Sequence, residues 1–136
     1  GEMKRIGRCI SFGVDYNRYG ETKVRLLTVE ISESDDLQTV EYVQAGGEDY
    51  KPPADATVII SDLGEAWQIA IGVDDGIEPE EAEGEREFYS SAVGVKKAKI
   101  RLYNDGKIRL ENDSGGFIEM NTSGQTNING NFTVDL

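Results

Sequence analysis

The chain has 136 residues, 26 acidic and 14 basic, giving a net charge of −12 with one cysteine and no histidine. That length holds one compact domain of about a hundred residues plus an appendage rather than two full domains. The charge sets the chain against nucleic acid, whose phosphates repel an acidic surface; one cysteine excludes an intrachain disulfide scaffold, and without histidine the commonest general base is missing.

The first two thirds read as β-strands of irregular length. Lys4 to Phe12 is the first candidate, and its apolar run Cys9-Ile10-Ser11-Phe12 makes Cys9 an inert packing residue. Asp15 to Glu21 carries oxygen ligands at alternate positions, faintly like a calcium loop, but Arg18 and the missing later ligands favour a polar hairpin turn. Thr22 to Ile31 follows. Within it Val24 and Leu26 share one face and Leu27, Val29 and Ile31 the other, a slip that predicts a bulge or sharp bend in this strand.

Thr39 to Val43 is the third candidate, and Gly46-Gly47 with Pro52-Pro53 breaks the chain after it. Ala56 to Ser61 and Trp67 to Val73 come next, then the break Asp74-Asp75-Gly76 with Pro79, a possible helical turn at Glu78 to Ala82, and a strand at Glu87 to Ser91. Five or six strands with a bent early member fit a small barrel of the oligonucleotide/oligosaccharide-binding (OB) type, with a sandwich as the competing reading. The adjacent carboxylates Asp74-Asp75 and Glu80-Glu81 sit in Gly/Pro-rich loops, where solvation and not catalysis is expected, since paired carboxylates must flank a cleft to act.

From Lys99 on, apolar residues recur as i, i+2 pairs: Ile100 and Leu102, Ile108 and Leu110, Ile118 and Met120, Phe132 and Val134. Asn104-Asp105-Gly106, Ser114-Gly115-Gly116, Ser123-Gly124 and Asn129-Gly130 separate them, the chemistry of tight turns needing positive φ. Such short strands cannot close a core alone, and further copies of the chain are the nearest source of cover. The reading is therefore all-β, with a barrel over residues 1–92 and an intertwined trimeric β-helix or β-prism shaft over 93–136. Ile100, Leu102, Ile108, Leu110, Ile118, Met120, Phe132 and Val134 would face the threefold axis, and Lys99, Arg101, Lys107, Arg109 and Glu119 would face water.

Several segments carry a family pattern. In order they are Gly7-Arg8-Cys9-Ile10, the stretch ending at Pro52-Pro53, and the strand pair Val58-Ile59-Ile60 and Gln68-Ile69-Ala70-Ile71. Gly84-Glu85-Arg86-Glu87-Phe88-Tyr89-Ser90-Ser91 follows, leading into Lys99-Ile100-Arg101-Leu102 and Asp105-Gly106-Lys107-Ile108-Arg109-Leu110. Together they resemble the phage Mu-type central baseplate spike family, to which baseplate assembly protein V of P2-like phages is similar. The closing Ile128-Asn129-Gly130-Asn131-Phe132-Thr133-Val134-Asp135 looks like the family's shaft.

The resemblance implies a non-enzymatic homotrimer in the virion, at the tip of a contractile phage tail and assembled in the bacterial host cytoplasm. Its barrels would dock as a collar to the tail hub and other baseplate proteins, and its shaft would pierce the host outer membrane. Family members often end in a His-x-His iron tip. This chain has no histidine, so that iron site is not carried over and no cofactor is expected. The alternatives are a trimeric receptor-binding fibre or adhesin and, less favoured by the acidic charge, an OB-fold oligonucleotide-binding module that would use Tyr16, Tyr19, Tyr42, Tyr50 and Trp67. No stretch is long and apolar enough to span a bilayer and no signal-peptide core opens the chain, which predicts use without conventional export. The sequons at Asn112, Asn121 and Asn131 would then stay unmodified.

Overall fold

The computed structural model describes residues 3–16, 23–31, 36–64, 68–131 and 133–135, with backbone alone at 3–5 and 14–16. Among the described residues all regular structure is β, in two compact units, Gly1–Gly76 and Ile77–Leu136. The first holds β1 (Met3–Tyr16), β2 (Lys23–Ile31), β3 (Leu37–Tyr42), β4 (Thr57–Asp62) and β5 (Gln68–Asp74). The second holds β6 (Arg86–Ala92), β7 (Val95–Leu102), β8 (Ile108–Asn112), β9 (Phe117–Met120) and β10 (Thr126–Asn129). The stretch 78–82, read as a possible helical turn, is irregular. β6 pairs with β7 and not with the barrel, so the second unit starts well ahead of the composition change near residue 93. Gly- and Asn-rich turns mark where the hairpins tighten, and the sheet's first strand precedes them.

The first unit is a closed barrel in the order β1-β2-β3-β5-β4. β1 is long enough to serve both sides, pairing with β4 through Met3 to Arg8 and with β2 through Gly7 to Tyr16. The bulge that permits this lies in β1, between Cys9 and Ser11, and not in β2 where the apolar phase slips. Ile10 is the extra residue, and opposite it β2 continues without a break from Thr28 to Val29. The barrel closes through a parallel pairing of β3 with β5, Glu41 with Ile69 and Tyr42 with Ala70.

Inward residues at alternate positions fill the barrel: Cys9, Leu27, Val29, Ile31, Val40, Val58, Ile60 and Ala70 are buried, with Phe12, Tyr42 and Val73 packed on them. Gly7 is needed on β1 because a Cβ there would run into the Val29 side chain and come within 2.9 Å of the Glu30 carbonyl oxygen. Cys9 is buried and its Sγ lies 3.7 Å from the Ser11 carbonyl oxygen. Burial pushes its thiol pKa up, which suppresses the reactive thiolate.

The second unit is an open antiparallel meander in the order β10-β9-β8-β7-β6. Three of its hairpin loops repeat one design. In each, the residue entering the loop donates its N–H to the carbonyl leaving it: Tyr103 to Lys107 at 2.9 Å, Asn112 to Gly116 at 3.1 Å and Asn121 to Gln125 at 2.9 Å. Gly106, Gly115 and Gly124 take the positive-φ position. Side-chain oxygens brace the loops from within, Asn112 Oδ1 accepting from the N–H of Ser114 and Gly116, and Asn121 Oδ1 from those of Ser123 and Gln125.

Candidate functional site

Strand register sorts the meander's side chains into rows that cross the sheet, because directly opposed residues share a face. One row runs through all five strands: Phe88 opposite Ile100, Ile100 opposite Leu110, Leu110 opposite Ile118, and Ile118 opposite Ile128. Beside it, on the same face, Leu102 stands opposite Ile108 and Ile108 opposite Met120. At about 4.8 Å between neighbouring strands, the first row is an apolar strip roughly 19 Å long.

This strip is open to solvent. Ile108 is 38% exposed, Leu110 44%, Ile118 46% and Phe88 51%, and among the described residues no other layer of the unit covers them. Six of the eight residues expected on an axis, Ile100, Leu102, Ile108, Leu110, Ile118 and Met120, are thus gathered on one face. Val134 is exposed and lies beyond β10, while Phe132 falls outside the described residues. Phe88 and Ile128 were missed. Each occupies the phase of its neighbouring pair, so extending the alternation one strand in each direction would have found them.

The opposite face carries the charge. Its rows are Glu87, Arg101, Arg109, Glu119, Asn127 and Tyr89, Lys99, Glu111, Phe117, Asn129. Arg101 directly opposes Arg109, a like-charge pairing that would destabilise the ladder unless each found its own carboxylate. Each does: Arg101 donates to Glu85 at 2.8 Å, and Arg109 to Glu119 at 3.0 Å and Glu111 at 3.2 Å. Lys99 lies 3.2 Å from Glu111. Lys96 donates to Glu87, whose side chain is only 1% exposed.

Aromatic rings complete the packing of this face. Arg101 and Lys107 lie over Tyr103, Arg109 over Phe117 and Lys96 over Tyr89, each cation between 3.9 and 4.7 Å from its ring centre. The hydrogen bond from Arg101, joined by backbone N–H groups of Ala82 and Asn104, lowers the Glu85 pKa to about 2. Burial acts to raise that of Glu111, but Lys99 and Arg109 outweigh it and hold the carboxyl below its ordinary value. The charged face is therefore neutralised by its own ion pairs and largely covered, with Glu87 Oε2 and Arg101 Nε buried without a hydrogen bond, whereas the apolar face is open.

The other residues singled out in the sequence form no site. Asp74 caps its own turn, its Oδ1 accepting from the Gly76 N–H at 2.9 Å, and Glu80 and Glu81 pair with Lys96. Among the described residues no three His, Cys, Asp or Glu side chains are grouped to hold a metal ion. The calcium-like stretch falls largely outside the described residues, as do Tyr19 and Trp67. Tyr42 and Tyr50 are half-buried against the barrel and not set out as a stacking platform, and burial raises both phenol pKa values. Compared with protein-family models, with curated proteins and with solved structures, the chain matches none.

Proposed function

We propose that this chain is the central spike of a contractile phage tail baseplate, a non-enzymatic virion component. In this reading three copies join through the apolar faces of β6–β10 to make the shaft, and the barrels form the collar that docks to the tail hub. Driven by sheath contraction, the shaft pierces the host outer membrane. One observation carries the reading: an apolar strip crosses a whole sheet in solvent, on the face opposite a self-neutralised charged one. A single β-sheet needs a second layer over its apolar face, and the described residues of this unit supply none.

The strand pairing gives the assembly its form. Consecutive strands β6 to β10 bond to one another within the chain, which favours a prism of three packed sheets over strands alternating between copies. The apolar row runs across the strands, so it would lie along the shaft. Meeting three similar faces on one axis would bury the remaining exposed halves of Ile100, Ile108, Leu110 and Ile118, contributing roughly 1 kcal/mol per side chain. For the collar, the barrel order β1-β2-β3-β5-β4 with a long, bulged first strand supports an OB-type barrel.

Light scattering coupled to size exclusion tests the assembly. A mass three times 15.0 kDa that holds on dilution is expected. In Ile108→Asp, three carboxylates would meet on a dry axis and the mass should fall to that of one chain. A stable, folded wild-type monomer would overturn the spike reading and return a monomeric OB-type binding module to first place.

A further inference from the structure

The exposed face of β6–β10 is unequal on the two sides of its central row. One flank is raised: it carries Leu102, Ile108 and Met120, with Thr126 opposite Met120 on the last strand. The other is low: Ala98 stands opposite Asn112, and Ser90, Gly116 and Gly130 continue the line. Its polar side chains fold back onto backbone, the Ser90 hydroxyl accepting from the Ala98 N–H at 3.2 Å and Asn112 Oδ1 from the Gly116 N–H at 3.1 Å. A Cβ on Gly130 would lie 4.0 Å from the Gly116 Cα, so these two glycines sit side by side. The result is an open trough of about 740 Å³, lined by the low flank together with Ile100, Leu110 and Ile118, with the raised flank outside it.

We propose that copies of this chain pack by flank exchange, the raised flank of one seated in the trough of the next, about a rotation axis that runs along the apolar row. The inference rests on the reading that this face joins copies of the chain. A rotation about an axis in that direction keeps each strand at its own height and brings one flank of a sheet against the other flank of its neighbour. Leu102 of one copy then meets Ala98 of the next, Ile108 meets Asn112, Met120 meets Gly116 and Thr126 meets Gly130, a raised side chain against a low position at each level. The exposed area supports a second copy as the occupant. The eight apolar side chains of the central row and raised flank, 38–51% exposed, make one patch of roughly 600 Å², the upper limit for a typical monomer. Two such faces would bury about 1,200 Å² and three about 1,800 Å², which spans the range of stable interfaces.

Oxidative cross-linking of the full chain, read on a non-reducing gel beside its light-scattering mass, tests it. The double variant Ala98→Cys with Leu102→Cys places both thiols on β7, four residues and about 13 Å apart, too far to bridge within one chain. It should link into covalent dimers and trimers, whereas either single variant should stay largely unlinked. Ala98→Leu fills the trough and should raise the half-dissociation concentration about tenfold or more, and adding Leu102→Ala should recover much of that loss. This second pair keeps the test valid if the cysteine variant folds poorly. A multi-chain mass without linking in the double variant, or without recovery by Leu102→Ala, would overturn flank exchange and leave the spike reading standing. Covalent dimers in an assembly of two-chain mass would support flank exchange and overturn the three-copy spike. A mass of one chain would overturn both.

Discussion

Strands β1–β5 close into a barrel and hide Leu27, Val29, Val40, Val58 and Ile60, whereas β6–β10 stay in one open sheet and leave Ile100, Leu110 and Ile118 in solvent. Both regions use alternating apolar and polar residues. What separates them is closure: a curled sheet covers its own inner face, and a flat one leaves that face to a second layer. The open sheet also inverts the usual distribution of burial, since the Glu87 side chain is 1% exposed while Ile118, on the opposite face, is 46% exposed. Charge can be buried there because the cations are neutralised, because Lys96, Arg101, Lys107 and Arg109 also lie on aromatic rings, and because long aliphatic stems cover the strands.

Truncating one leucine in each region separates the two cases most sharply. Leu27→Ala should destabilise the barrel by about 2–5 kcal/mol, whatever the protein concentration, because the cavity lies within one chain. Leu110→Ala acts on a side chain that is 44% exposed in the single chain, so its cost should appear only where copies associate and should vary with protein concentration. Denaturant unfolding over a hundredfold concentration range reads both. A concentration-independent loss of similar size in Leu110→Ala would mean that the sheet's apolar face is covered from within the chain.

The alternation common to both regions was legible in the sequence, because a period of two survives any tertiary context that keeps one face apolar. Ile100, Leu102, Ile108, Leu110, Ile118 and Met120 fall on one face as their spacing predicts. The all-β class was legible for the same reason, and Gly106, Gly115 and Gly124 were placed in turns by their neighbours alone. Less could be read where register between strands decides the outcome. The slip in β2 pointed to a bulge, but the extra residue is Ile10 on its partner, since an irregularity in a ladder can be absorbed by either strand. The ties of Glu85 to Arg101 and Asn104 bridge sixteen or more positions and left no local signal.

Acid should act selectively on the second unit. Glu81, Glu85, Glu111 and Asp113 are all held below their ordinary pKa values, Glu85 at about 2. A carboxyl with a lowered folded-state pKa binds protons more readily when unfolded, so its stabilisation is complete above about pH 4.5 and is lost as pH falls toward 2. The groups facing Glu85 are Arg101, which bridges it to Glu87, and the N–H groups of Ala82 and Asn104, and none of these donors gives up its proton in that range. Segment-resolved hydrogen exchange from pH 5 to 2.5, corrected for the intrinsic rate, should show 80–104 loosening with a midpoint below pH 4.5. Glu85→Gln should flatten that dependence, and an acid response of equal size in the mutant would assign it to other carboxylates.

The smallest expected effect bears on the repeated hairpin loops. Gly106 has a φ of +97° and open space where a Cβ would stand, so Gly106→Ala meets backbone strain without a clash. The penalty should be about 1 kcal/mol, offset in part because alanine restricts the unfolded chain. Gly7→Ala is the contrasting case, since its φ is ordinary and the obstruction is Val29 and the Glu30 carbonyl, so overpacking and not torsion sets its larger cost, about 1–3 kcal/mol. Equal denaturation shifts in the two mutants would show that steric crowding in the barrel relaxes as readily as a strained turn. A larger shift for Gly7→Ala would show that the barrel is the more tightly packed of the two units, as expected of the one that encloses its own core.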